Sequence, residues 1–231
     1  MRQLPDALML FAAGLGTRMG ALTATQPKPM IPVAGRPLID HALALVEAAG
    51  ITRTVVNTHY RPEPLRAHLA DRRVTLSHEP ALLETGGGLR KALPLLGDGP
   101  VFTLNSDAVW TGANPLAELR DGWSDQMDAR RLLLPAGQAS GQPGAGAFLL
   151  DAEGRITRAQ GRPGLVYLGA QILRTERLAD ISAEAFSLNL LWDAMIAEGR
   201  AFGLIHRGGW CDVGRPEGIA EAEALLERAD V

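Results

Sequence analysis

The sequence contains little cysteine, little lysine and no long apolar segment in its 231 residues. Its one cysteine, Cys211, excludes an intrachain disulfide and favours a reducing compartment. No apolar run approaches the ~20 residues that cross a membrane. The short run that follows Pro5 and Asp6 favours a strand over a signal peptide. We therefore expect a cytoplasmic protein without a membrane partner.

Positive charge comes almost entirely from arginine, since 21 of the 23 basic residues are Arg and only Lys28 and Lys91 are Lys. The net charge is −3, and no basic block indicates a nucleic-acid partner. Lysine supplies a compact ammonium where arginine supplies a planar fork. Lys28 lies between Pro27 and Pro29, which fix the backbone on either side. It is therefore a candidate for a positioned cation, whereas chance explains Lys91 equally well.

Apolar runs alternate with helical patterns in the first half of the chain. We predict strands and helices in turn at 8–13, 37–49, 54–57, 64–70, 74–77, 88–95 and 100–104. Such alternation is typical of βαβ units and a largely parallel sheet. Between the first strand and the first helix, residues 14–36 are predicted to form a long loop. A loop of that length is usually functional or disordered.

After Asp107 the pattern loosens into shorter elements. We predict helices at 116–119, 187–197 and 216–228, and strands at 132–134, 146–150, 155–157, 165–173, 202–206 and 210–213. The Gly- and Ala-rich segment 135–146 is predicted to be a mobile surface loop. No repeat or linker interrupts the chain, so we expect one domain over 1–231, with halves at about 1–112 and 113–231.

The stretch FAAGLGTRMGALTATQPKPM, residues 11–30, follows the first predicted strand. Its glycines at 14, 16 and 20 are one residue too widely spaced for a dinucleotide fingerprint, and the prolines that follow exclude the helix that fingerprint requires. A P-loop motif is absent as well. An ordinary turn would explain the glycines alone. Arg18 and Lys28 in the same loop favour phosphate binding.

Four motifs occur in order along the chain: A-A-G-x-G-T-R-M with P-K-P-M, L-E-T-G-G-G at 83–88, N-S-D at 105–107 and W-C-D-V-G at 210–214. Together they resemble the sugar-1-phosphate nucleotidylyltransferases. The L-E-T-G-G-G loop is most similar to the branch that transfers uridylyl groups to N-acetylmuramate 1-phosphate in cell-wall sugar recycling. The resemblance implies a Rossmann-like three-layer α/β sandwich with a mixed, mainly parallel sheet, of the nucleotide-diphospho-sugar transferase type.

The resemblance also implies the substrates, a nucleoside triphosphate and a sugar 1-phosphate. The nucleotidyl group passes from the triphosphate to the sugar phosphate, and pyrophosphate is released. Arg18 would hold the β- and γ-phosphates, and Lys28 would neutralise the α-phosphate. The implied nucleotide contacts are Ala12, Ala13, Gly14, Leu15, Gly16, Thr17 and Gly86. The first half of the chain is then the nucleotide-binding half and the second half the sugar-binding half.

Asp107 and Asp212 form the implied metal site. Each alone has an ordinary explanation as a turn or strand-end residue. As a converging pair they suit Mg²⁺, which takes one or two carboxylates together with phosphate oxygens and water. Glu84, Asn105 and Arg162 are the implied sugar contacts, although Glu84 and Asn105 are equally well explained as solvated loop and turn residues.

The chain departs from the family pattern at three places. Ser106 replaces a glycine, which a negative φ would tolerate. Arg162 lies where many relatives have the lysine of E-K-P, and Ala147 lies where the muramate branch has the aspartate of G-D-F. These departures leave open another pair, such as GTP with mannose 1-phosphate, or a non-catalytic nucleotide-sugar sensor. The chain lacks the C-terminal helical repeat of trimeric relatives, so we expect a monomer or homodimer.

Overall fold

The computed structural model describes residues 4–142 and 144–229. The described strands are β1 Ala7–Phe11, β2 Pro32–Val33, β3 Arg36–Pro37, β4 Arg53–Thr58, β5 Thr75–His78, β6 Val101–Asn105, β7 Ala108–Trp110, β8 Ala129–Pro135, β9 Ala139–Ser140, β10 Phe148–Leu150, β11 Ile156–Arg158, β12 Leu165–Leu173, β13 Ala201–Ile205 and β14 Trp210–Asp212. The α-helices are α1 Leu38–Ala48, α2 Pro62–His68, α3 Glu84–Leu96, α4 Pro115–Asp121, α5 Asn189–Ala197 and α6 Glu217–Ala229. Within the described ranges, no helix is long and apolar enough to span a membrane.

One large sheet joins the two halves of the chain in the order β11-β10-β12-β6-β1-β4-β5, with β8 paired to β12 and β13 paired to β8. Strands β1, β4, β5, β6, β8, β10 and β13 run in one direction, and β11 and β12 run in the other. The predicted mixed, mainly parallel sheet is confirmed.

The central strand β1 shows how the layers form. Leu8 and Leu10 pack into a cluster with residues of α1 and α4, whereas Met9 packs into a second cluster with residues of α3 and α5. Successive side chains of a strand point to opposite faces, so an unbroken apolar run is buried on both. The sheet therefore has helices on both faces, as the three-layer prediction requires.

Three local predictions are corrected by the structure. The loop 14–36 contains two 3₁₀ segments, at Thr17–Thr23 and Lys28–Met30, and the small hairpin β2–β3. Helix α3 begins at Glu84 rather than at residue 88. Segment 135–146 contains a 3₁₀ turn and strand β9, which pairs with β14; Pro143 of that prediction lies outside the described residues.

A small second sheet, in the order β7-β14-β9, lies beside the main one. Trp110 of β7 and Trp210 of β14 are directly paired, and their rings meet edge to face with centroids 6.3 Å apart. Both tryptophans are buried, at 9% and 4% exposure. They pack in the core, where aromatic side chains bury large apolar areas, and therefore help to fix the geometry between these two strands.

We predict that Cys211 does not react with thiol reagents in the folded protein. The side chain is fully buried in β14, and burial raises the pKa of its thiol to about 12, helped by the charges of Glu221 and Asp212. Because the thiolate is the reactive form, an aromatic disulfide reagent at pH 8 should release no chromophore until guanidinium is added. One equivalent should then react. Rapid labelling of the native protein would contradict the prediction.

Candidate active site

The pairing of β7 with β14 brings two distant aspartates together. Asp107 directly precedes β7, and Asp212 is the last residue of β14, where it pairs with Ala108. The backbone N–H of Val213 donates to the carbonyl of Asp107 at 2.8 Å. Main-chain hydrogen bonds between these two segments therefore bring the carboxylates together. Their proximity does not depend on contacts of the two side chains.

Lys28 reaches the first of these carboxylates. Its Nζ lies 2.7 Å from Oδ2 of Asp107, and the lysine is only 8% exposed. Gly16 has a φ of +64°, and a Cβ there would lie 3.0 Å from Cβ of Lys28 and 2.9 Å from Cγ2 of Thr23. A side chain at position 16 would therefore both strain the backbone and press on Lys28, which explains this glycine structurally.

Arg18 lies on the side of the second carboxylate. A Cβ placed on Gly214 would be 2.4 Å from Oδ2 of Asp212 and 3.3 Å from Nη2 of Arg18. The guanidinium and this carboxylate therefore flank the same glycine. The structure brings together the four residues Arg18, Lys28, Asp107 and Asp212, which lie up to 194 positions apart in the sequence.

Electrostatics support the same grouping. The pKa of the Asp212 carboxyl is raised to about 6, first by burial and then by the negative charge of Asp107, against the opposing charges of Lys28, Arg18 and Arg215. Two neighbouring carboxylates repel each other when both are ionised, and a cation bound between them relieves this repulsion. Among the described residues no group of three or more His, Cys, Asp or Glu is placed to hold a metal. A divalent ion here would take two protein carboxylates, which suits Mg²⁺ completed by phosphate and water.

A cleft of about 380 Å³ opens at the carboxyl ends of β1, β4 and β6. Parallel α/β sheets bind ligands at this edge. Of the predicted nucleotide contacts, Ala12, Ala13 and Gly14 line the cleft, and Leu15, Gly16 and Thr17 continue the chain from there. Among the described residues, the lining is Phe11, Ala12, Ala13, Gly14, Lys28, Pro29, Asn57, Glu79, Leu82, Glu84, Thr85, Asn105, Ser106, Asp107 and Ser187.

Sequence reasoning missed two polar residues of this cleft, Asn57 and Glu79. Asn57 Oδ1 accepts from the N–H of Ala12 at 2.6 Å, and its Nδ2 donates to Oε1 of Glu79 at 2.7 Å. Oε2 of Glu79 accepts from the N–H of Leu83 at 3.1 Å, and this glutamate is fully buried. The pair fixes the glycine loop relative to α3. Their positions at the ends of β4 and β5 were the available signal, because the carboxyl ends of parallel strands meet at one edge.

The glycines of the L-E-T-G-G-G motif accommodate a segment from the other half of the chain. A Cβ on Gly86 would lie 2.3 Å from Cε2 of Phe186, and one on Gly87 would lie 2.4 Å from the carbonyl oxygen of Glu184. The N–H groups of Gly86 and Gly87 both donate to the carbonyl of Phe186, at 2.8 and 3.1 Å. Gly86 does not line the cleft, and its N–H group is already bonded to Phe186, so the structure gives no support to its implied nucleotide contact.

The two polar residues of this motif face the cleft. Glu84 begins α3 with a φ of +58°, an unusual conformation for a residue with a side chain. Thr85 lies inside this helix, and its side chain does not cap it. Instead its Oγ1 accepts from the N–H of Leu188 at 3.0 Å.

Of the remaining sugar-site candidates, Asn105 lies at the cleft and Arg162 does not. Asn105 lines the cleft, and a Cβ on Gly169 would lie 2.8 Å from its Cγ. Ser106 is not among the described residues with positive φ, which is the condition for a serine to replace the glycine, and its Oγ donates to the carbonyl of Phe11 at 2.6 Å. The structure does not bring Arg162 to the cleft: it is exposed, and its Nε donates to the carbonyl of Ala159 at 3.3 Å. Its implied sugar contact has no geometric support.

Comparison with known proteins agrees with this arrangement. The family model of the MobA-like NTP transferase domain matches residues 8–165. An N-acetylmuramate alpha-1-phosphate uridylyltransferase of Caulobacter vibrioides is 40% identical over 99% of this chain and 100% of its own length. An enzyme of the same name from Neisseria meningitidis is 34% identical over 94% of this chain and 96% of its own.

A solved structure supports the fold independently of close sequence similarity. HddC from Yersinia pseudotuberculosis, complexed with GMP-PN, superposes with a TM-score of 0.78 at 20% identity, over 96% of this chain and 99% of that chain. The family model covers more than half of the sequence, and the relatives align along nearly all of it. This chain therefore belongs to the MobA-like NTP transferase family of nucleotidyltransferases.

Proposed function

We propose that this protein transfers a uridylyl group from UTP to N-acetylmuramate 1-phosphate, giving the UDP-sugar and pyrophosphate, in the cytoplasm and on a route that recycles cell-wall sugars. The observation that carries the proposal is the meeting of two cations and two carboxylates at the carboxyl end of β1. The 40% identity to a uridylyltransferase of that name supports the choice of substrates. That the chain is one domain, as a monomer or homodimer, stays a prediction.

The attacking group needs no base from the protein. A phosphate monoester carries about −1.5 to −2 charges at pH 7, so the sugar-phosphate oxygen is already an anionic nucleophile when it attacks the α-phosphorus. The catalytic task is to bring two polyanions together and to stabilise the departing pyrophosphate. Positioning and electrostatic stabilisation by fixed charges must therefore provide most of the rate enhancement.

In the proposal, Lys28 neutralises the α-phosphate. One of its three N–H groups is used by Asp107, which leaves two for phosphate oxygens. Its burial and the hydrogen bond to Asp107 hold the ammonium in place before substrate arrives, which lowers the entropy lost on binding. Arg18 holds the β- and γ-phosphates, where its planar fork can bind two oxygens of the leaving group at once.

Asp107 and Asp212 fit Mg²⁺ because they are two close carboxylates with oxygen donors only, and because burial and mutual repulsion disfavour the charged form of Asp212. When bound there, the ion would neutralise negative charge on the substrate phosphates as a Lewis acid. Ala12, Ala13 and Gly14 form the surface beneath the nucleoside. Glu84 and Asn105 face the remaining volume of the cleft, on the sugar side of the proposed complex.

The proposal is tested with a matrix of nucleoside triphosphates and sugar 1-phosphates in Mg²⁺. Pyrophosphate release should be fastest with UTP and N-acetylmuramate 1-phosphate, and excess chelator should abolish it. The other wells hold GTP and CTP, N-acetylglucosamine 1-phosphate and mannose 1-phosphate. Fastest release with GTP and mannose 1-phosphate would reassign the substrates within the family. No release in any well would favour the nucleotide-sugar sensor.

A further inference from the structure

A second cleft adjoins the first one. It has a volume of about 420 Å³, and its lining includes Phe148, Arg158, Tyr167, Asn189 and Trp192. Nδ2 of Asn189 donates at 2.9 Å to Oγ of Ser187, which lines the first cleft. The two clefts therefore meet at this pair of hydrogen-bonded lining side chains, which is where a substituent of a sugar in the first cleft would enter the second.

Arg158 is the charged group available in this second cleft. Its Nε donates to Oδ1 of Asp193 and its Nη2 donates to Oδ1 of Asn189, both at 2.8 Å. These two bonds fix the orientation of the guanidinium, whose side chain remains 28% exposed. Within the described residues Nη1 has no protein acceptor. A guanidinium held in this way presents its remaining N–H groups to an incoming oxygen anion.

A second cation lies beneath the cleft. Arg131 is fully buried, and its guanidinium carbon is 4.1 Å from the ring centroid of Trp192 and 5.3 Å from that of Phe148. Arg158 stacks on the same two rings, at 4.9 Å from Phe148 and 5.8 Å from Trp192. The rings of Trp192 and Phe148 thus contact both guanidinium groups, one buried and one open to the cleft.

This buried cation has no carboxylate partner in the part of the chain that the structure describes. Nε of Arg131 donates to Gln171, and its Nη1 and Nη2 have no hydrogen-bond acceptor there. Burial lowers the pKa of Arg131 to about 9, so the group is still charged at neutral pH. Among the described residues, Asp193 pairs with Arg158 and is the carboxylate whose charge acts on Arg131. The two guanidinium groups therefore leave an excess of positive charge, which favours an anion in the cleft.

We propose that the second cleft binds a carboxylate substituent of the sugar, with Arg158 as the residue that selects acidic sugars over neutral ones. This rests on the proposed function, since it assigns a second contact to the same sugar 1-phosphate. The remaining N–H groups of Arg158 donate to the carboxylate, and the stacked rings hold the guanidinium in position. A neutral sugar leaves these donors without a charged acceptor, which is how a polar site rejects an analogue.

The test compares two sugar phosphates that differ in the carboxylate-bearing ether, N-acetylmuramate 1-phosphate and N-acetylglucosamine 1-phosphate. The wild-type protein should prefer the acidic sugar in kcat/KM, and Arg158→Gln should lower that ratio about tenfold or more, the size of a lost charge-assisted hydrogen bond. Arg155→Gln is the matched control, because Arg155 is an exposed arginine paired with Asp151 and Glu153 in the nearby turn. Its ratio should stay within about twofold of wild type.

Binding measurements separate this proposal from the proposed reaction. Calorimetric titration with free N-acetylmuramate and free N-acetylglucosamine should show the same preference in the wild type and its loss in Arg158→Gln. Absence of pyrophosphate release would then overturn the reaction while the acid preference stood. Equal affinity of the wild type for both sugars, or an equal loss for both in Arg158→Gln, would overturn the carboxylate site.

Discussion

Asp107→Asn and Asp212→Asn should each lower kcat/KM for pyrophosphate release by about a hundredfold or more, the range seen when one preorganised electrostatic group is lost from an active site. Asparagine keeps the shape of the side chain but removes its charge and one oxygen ligand. The loss should appear in steady-state assays at a Mg²⁺ concentration that saturates the wild type. Because the variants lose a metal ligand, a higher Mg²⁺ concentration should recover part of their activity.

Asp125→Asn is the matched control for these variants. Asp125 is an exposed aspartate that pairs with Arg174 at 3.4 Å, and its side chain is 64% exposed. The same change of charge there should alter the rate less than about twofold, because surface substitutions have small effects. Near-normal rates for both Asp107→Asn and Asp212→Asn would refute the metal assignment.

Stability distinguishes lost chemistry from a lost fold. The folded protein raises the pKa of Asp212 from 3.8 to about 6, so it binds that proton more tightly than the unfolded chain does. Ionisation of Asp212 therefore costs stability, and the cost grows as pH rises from about 4 to about 6 and persists above. In chelator, Asp212→Asn should be at least as stable as wild type at pH 8, with the difference vanishing near pH 4. Lower stability of the variant at pH 8 would contradict this.

The sequence was sufficient to predict the elements whose pattern is local. The apolar run at Leu8, Met9 and Leu10 predicts a strand buried on both faces, and the glycines and prolines after it exclude an α-helix. The motif resemblance adds Arg18, Lys28, Asp107 and Asp212, which the structure brings together. Arg18 and Lys28 lie in the loop after β1 and Asp107 follows β6, so the rule that parallel strands end at one edge places these three together. Asp212 reaches them only through the antiparallel pairing of β14 with β7.

The strands and site residues that could not be predicted depend on contacts with residues distant in the sequence. Strands β7 and β9 have three and two residues, too few for any periodicity, and they form because β14 lies between them. Asn57 and Glu79 gain their importance only when Ala12 and Leu83 lie within hydrogen-bonding distance. Arg162 carries the right charge in the right sequence interval, but the turn at Ala159 directs it elsewhere. Tertiary contacts, and not local preference, decide these cases.

Gly86→Ala should destabilise the folded protein. The new Cβ would lie 2.3 Å from the ring of Phe186 and 2.8 Å from its carbonyl oxygen, which also accepts the N–H groups of Gly86 and Gly87. The ring can rotate, but the carbonyl cannot move without breaking both hydrogen bonds. We expect a loss of about 1–3 kcal/mol in the free energy of unfolding, as overpacking typically costs. Thermal denaturation should show a decrease in Tm of about 2–4 °C for each kcal/mol.

Gly137→Ala is the matched control for Gly86→Ala. A Cβ at Gly137 meets nothing within 4 Å, and its φ does not lie in the left-handed region, so its stability should change by less than about 0.5 kcal/mol. If Gly86→Ala is as stable as wild type but raises KM for the nucleotide, the glycine contacts the nucleotide, as the motif resemblance implied. If it is destabilised and Phe186→Ala relieves part of that loss, the glycine serves the packing of α3 against segment 181–188. We expect the second outcome, because the N–H groups of Gly86 and Gly87 are already bonded to the carbonyl of Phe186 and are not available to the nucleotide.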